Sequence, residues 1–147
     1  MLQYICTMWL LYVFVSAIAA ALVAILAKMG LKNIDSTLAT TVRSVIMAGF
    51  LVLTALSLKK FQGFSFSSFS QKEWLLIILA GIAGAISWLF YFYALKDGAA
   101  SKVAAIDRLS LVFVIFLAAI FLGEKLTWQT SVGAIIMVFG AILITLK

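Results

Sequence analysis

Asp107 and Arg108 stand side by side inside Val103–Gly123, a run that is otherwise almost wholly apolar. A carboxylate and a guanidinium placed there either neutralise each other within the protein or handle a charged solute or a proton. Arg43 and Lys28 also lie within or at the end of apolar runs, and Trp88 and Tyr91 put two large rings on one helical face of a third. An ionised group at mid-membrane costs about 2.5–3.5 kcal/mol on insertion scales, so such groups are candidates for a functional role. The structural alternative is an ion pair of Asp107 with Arg43 or Arg108, its long side chains snorkelling to the interface. Neighbouring helical residues point about 100° apart. At most one of Asp107 and Arg108 therefore faces a cavity, and the carboxylate, which cannot snorkel far, is expected to be that one.

Enzymatic chemistry finds little to work with. The chain has no His, its single cysteine is Cys6, and no two carboxylates share one apolar run. Ser/His and Cys/His nucleophiles, paired acids and Cys/His zinc sites are all absent, so the sequence calls for no metal, no cofactor and no enzyme.

These residues need elements to hold them, and composition says what those are. Of 147 residues, 66% are hydrophobic and 11% charged. A soluble domain of that length has more surface than so few charges keep in solution, so the bilayer is the solvent. The net charge of +6 comes from residues scattered over short connections. It forms no stripe of the kind that binds nucleic acid.

Five runs approach the roughly 20 residues of helix that cross a hydrocarbon core: Met8–Ala27, Leu38–Leu58, Trp74–Leu95, Val103–Gly123 and Trp128–Leu146. Backbone groups in lipid must be satisfied within their own segment, so each run is read as a helix. The fold class is an all-α membrane protein. No Lys or Arg precedes Lys28, and the first apolar run is too long for a signal-peptide core. It reads as a span. The linker Lys59–Glu73 interleaves Phe61, Phe64, Phe66 and Phe69 with polar residues, and is expected to lie among the headgroups with its rings dipping inward.

Lys59, Lys60, Lys72 and Lys125 lie on one side of the membrane, against Lys28, Lys32, Lys96, Lys102 and Lys147 on the other. So small a bias leaves orientation open in both senses. At about 1.5 Å per residue, Asp107 and Arg108 lie roughly 6–9 Å inside the second side, with Arg43, Trp88, Tyr91 and Lys28 in the same half. On the third helix Gly81, Gly84, Trp88, Tyr91 and Leu95 form one stripe; on the fifth Gly133, Met137, Gly140 and Ile144 form another. The four glycines are expected to let helices approach closely. Thr37, Thr40 or Thr41, and Ser44 make a hydroxylated stripe beside Arg43.

The C-terminal half carries a resemblance. Tyr93-Ala94-Leu95-Lys96, the turn Gly98 to Ser101, Leu122-Gly123-Glu124-Lys125-Leu126-Thr127, then Gly133 and Gly140 resemble the EamA domain of the drug/metabolite transporter superfamily. Lys28 and Arg43 fit upstream, and the likeness spans nearly the whole chain as one repeat, residues 1–147, of the half-size, five-helix type. The chain departs from the family where a proline is common early in helix four, having Ala105 and Leu111 there. It departs again where small polar residues are usual, having Asp107 and Arg108.

The resemblance implies a carrier for small metabolites, amino acids or drugs. The expected function is secondary transport of a small metabolite or amino-acid-like solute across the cell membrane, with ion coupling through Asp107. The expected assembly is a homodimer, antiparallel insertion included, or a heterodimer with a second five-helix protein, since an inverted pair suits alternating access. The alternative is a non-transporting subunit that stabilises or regulates a partner membrane protein.

Overall fold

A computed structural model describes residues 2–65 and 68–146, with side chains from Met8 onward. Phe66 of the aromatic linker, Lys147 of the charge count and the side chain of Cys6 lie outside the described residues. The regular structure is helical: α1 (Leu2–Gly30), α2 (Ser36–Ser57), α3 (Gln71–Asp97), α4 (Ala100–Asp107), α5 (Ser110–Phe121) and α6 (Trp128–Thr145). Among the described residues, five stretches are long and apolar enough to cross a bilayer: Met8–Gly30, Ser36–Ser57, Gln71–Asp97, Ala100–Phe121 and Trp128–Thr145. Each overlaps one of the five runs read from the sequence, with ends shifted by up to three residues. At most 6% of the most apolar window of each is buried within the chain, so lipid or another protein must cover the rest. The chain is a multi-pass membrane protein.

The fourth span differs from the single helix expected over Val103–Gly123. It breaks at Arg108–Leu109 into α4 and α5, with no proline involved. Both residues keep right-handed dihedrals, φ −65°, ψ −14° and φ −62°, ψ −18°. Their neighbours tighten instead: Leu109 N–H donates to Ile106, Leu111 to Arg108 and Val112 to Leu109, each three residues back, at 2.9–3.1 Å. A short 3₁₀ passage of this kind narrows and rotates a helix where a proline would kink it.

Local chemistry fixes where the other helices begin and end. Asp35 caps α2, its Oδ1 accepting from Thr37 N–H at 2.9 Å and Leu38 N–H at 3.0 Å. Those two bonds hold its carboxyl below the usual carboxylate value of 3.8, Leu38 contributing most. Ser70 and Glu73 form a reciprocal capping box at the start of α3, at 3.3 Å and 2.7 Å. α2 closes with Lys59 at φ +55°, while Lys60 N–H reaches back to Ala55 and Lys59 N–H to Leu56, a Schellman arrangement. α5 stops at Gly123, φ +68°, and Thr127 Oγ1 then accepts from Thr130 N–H to start α6. The Gly-Glu-Lys-Leu-Thr turn is thus a helix stop followed by a helix start.

The chain forms two compact units, residues 30–96 and residues 1–29 with 97–147. In the first, α2 and α3 supply the buried residues Ser36, Thr40, Phe92 and Leu95, joined by Leu31. In the second, every buried residue among those described is an alanine: Ala24, Ala118 and Ala141. Such small side chains let helices approach closely in lipid, where apolar bulk drives no association. Here α4 packs along α6, and α5 contacts α6 far less.

Candidate functional site

With α2 started at Ser36 by its Asp35 cap, residues Ser36, Thr40, Arg43 and Ser44 fall on one face, at spacings of 4, 3 and 1. Three hydroxyls in the first half of this helix turn back on their own backbone. Thr40 Oγ1 donates to Ser36 O at 2.7 Å, Thr41 Oγ1 to Thr37 O and Ser44 Oγ to Thr40 O, both at 2.8 Å. The Thr37 hydroxyl meets that of Tyr93 at 2.6 Å.

Arg43 crosses to α3. Its guanidinium carbon lies 3.8 Å from the centre of the Trp88 ring and 5.6 Å from that of Phe92, within the range of a cation–π contact. Trp88 meets Tyr91 edge-on at 5.5 Å and Phe92 at 6.1 Å, and Tyr91 lies 6.4 Å from Phe92. The three rings make a cradle with the guanidinium on one face. Arg43 Nη1 is buried there with no hydrogen-bond partner among the described residues. A buried charged donor without an acceptor is costly, and a bidentate fork is suited to a carboxylate. Of the expected pathway residues, this unit brings together Arg43, Trp88 and Tyr91. It adds Phe92, 3% exposed, which the sequence stripe through Trp88, Tyr91 and Leu95 passed over. The signal for it was its spacing, four residues beyond Trp88 and three before Leu95.

Lys28, Asp107 and Arg108 belong to the other unit. Lys28 Nζ donates to Gly98 O at 2.8 Å, which ties the end of α1 to the turn before α4. Asp107 is the last residue of α4 and Arg108 its C-cap, both exposed. Gly81, Gly84, Gly133 and Gly140 each have open space where a Cβ would stand, with no described atom within 4 Å. No three His, Cys, Asp or Glu side chains among the described residues come together as metal ligands.

The family model of the EamA-like transporters matches residues 7–146, almost the full length. The chain belongs to the EamA-like transporter family. One relative of this EamA-like chain, an "Uncharacterized transporter in cobO 3'region" of Sinorhizobium sp, is 38% identical over 136 residues, 92% of this chain and 95% of the relative. A second, "Uncharacterized transporter YvbV" of Bacillus subtilis (strain 168), is 28% identical over 138 residues. That match takes in 90% of this chain and only 43% of the Bacillus protein. No solved structure matches the chain significantly. Family and relatives both speak for a membrane transporter.

Proposed function

We propose that this EamA-like chain is a non-enzymatic secondary transporter for a small carboxylate-bearing metabolite, amino-acid-like in joining that charge to an apolar group. The carrying observation is the buried, unpartnered Nη1 of Arg43, beside a guanidinium stacked 3.8 Å over Trp88. The solute carboxylate satisfies that donor, and its apolar part lies against Tyr91 and the open edge of Trp88. Asp107, exposed at the α4–α5 break, takes the coupling proton. Two copies work together, as a homodimer, antiparallel in one arrangement, or as a heterodimer with another five-helix chain. With five spans, two copies fused in tandem or inserted oppositely form an inverted pair. The greater length of the Bacillus relative supports a repeat that functions in pairs.

Charge movement across proteoliposomes of the purified chain tests this, over a panel of amino acids, organic acids and amphipathic cations, with Asp107→Asn beside the native protein. Solute-specific currents that vanish in the variant are the expected result. Currents surviving in the variant return Asp107 to a structural role. Currents absent for every carboxylate-bearing solute favour the stabilising-subunit reading.

A further inference from the structure

Beside the helix break lies a feature that the Arg43 cradle does not use. A cleft of about 300 Å³ opens between the α4–α5 junction and α6. Ala105 and Leu111 line one wall, Met137, Gly140 and Ile144 the other, and Arg108 is the charged residue on it. Its direction follows from the helices. Lys102 Nζ, near the start of α4, donates to Thr145 O at the end of α6, at 3.0 Å, so the start of α4 and the end of α6 share one membrane face. The cleft therefore runs inward from Ala105 and Ile144 to Leu111 and Met137, about 9 Å along the helices. It is apolar and open, with one cation, Arg108, midway along it and a second, Lys102, nearer the surface.

We propose that this cleft holds the upper part of one acyl chain of an anionic phospholipid, with Arg108 on the lipid phosphate. An apolar slot with one cation along its wall and a second above it toward the surface matches an amphiphile of opposite charge. A neighbouring transmembrane helix would leave the guanidinium facing apolar side chains, at the cost of a desolvated charge. Arginine suits the role because its stem lies along apolar surface while its fork reaches outward to a phosphate. The space is real at Gly140, where an added Cβ meets nothing within 4 Å. The 3₁₀ passage at Arg108–Leu109 supports the same reading. α4 packs closely on α6 before it and α5 far less after it, so the tightened turn is where the two walls part.

Native mass spectrometry of the full chain, released from micelles holding equal phosphatidylglycerol and phosphatidylcholine, reads retained lipid without any transport solute. The native chain is expected to keep phosphatidylglycerol over phosphatidylcholine by about fivefold, the discrimination one interfacial cation provides. Arg108→Gln removes that preference and Arg108→Lys retains it, so a folded, charge-preserving variant separates binding from misfolding. Gly140→Leu, whose side chain enters open space, lowers retention of both lipids. Equal retention of the two lipids by the native chain overturns the proposal, as does unchanged retention in Gly140→Leu. A Gly140→Leu chain that loses a dimer and keeps its lipid assigns the cleft to a second copy. Displacement of the preference by inorganic phosphate assigns Arg108 to a free anion.

Discussion

Replacing Arg43 by glutamine removes the guanidinium over Trp88 and with it the buried Nη1 that has no acceptor. A hydrogen bond to a charged group contributes about 1.5–3 kcal/mol. At about 1.4 kcal/mol per tenfold, the dissociation constant of a carboxylate solute should rise roughly 10–150-fold. The fold loses a cation–π contact worth about 0.5–2 kcal/mol but also sheds a buried charged donor. These effects oppose each other, so the change in unfolding should be smaller than the change in binding. Arg43→Lys keeps the charge without the flat fork that stacks and pairs at once, and should fall between the two. The assay is equilibrium binding in detergent of amino acids and of the matching amines that lack the carboxylate. Only the acids should weaken in Arg43→Gln, while the amines bind alike in both proteins. Equal loss for acids and amines would mean that the cradle has collapsed. Undiminished binding of the acids by a folded Arg43→Gln protein would refute the assignment outright.

The helix ends make further predictions. Lys59→Gly relieves a left-handed backbone, φ +55°, and should stabilise the protein by about 1 kcal/mol. Gly123→Ala imposes that strain at φ +68° in otherwise open space and should destabilise it by about 1–2 kcal/mol; unfolding in mixed micelles reads both, with opposite signs. Asp35, its pKa held below 3.8, contributes stability that is full above that value and is lost as pH falls through the lower folded value. Melting temperatures below pH 3.8 should therefore drop more steeply for the native chain than for Asp35→Asn, which keeps a cap without the titration.

Hydropathy made the five spans legible, because the bilayer demands long apolar helices whatever they pack against. Arg43, Trp88 and Tyr91 stood out for a related reason: charge and large rings are rare enough in such runs to be noticed. Facing was harder to read. In a helix that is apolar all round, periodicity does not separate protein-facing from lipid-facing positions. So Phe92, 3% exposed, looked no different from Phe90, 67% exposed. The same ambiguity applies to Gly81, Gly84, Gly133 and Gly140, which have open space in the chain itself. The break at Arg108–Leu109 left no trace because it consists of shortened backbone bonds, not of a residue type that enforces it.

The hydroxyls of α2 have a mechanical consequence. Thr40, Thr41, Ser44, Thr54 and Ser57 all spend their protons on carbonyls of the same helix. Among the described hydroxyl bonds of α2, only that of Thr37 reaches another helix. The helix thus carries these hydroxyls as passengers, its polar ties to α3 being Thr37 to Tyr93 and Arg43 over Trp88. Were it to turn or slide within the bilayer, it would break almost no bonds of its own. Such a movement would leave these hydroxyl bonds intact, because both partners of each travel together.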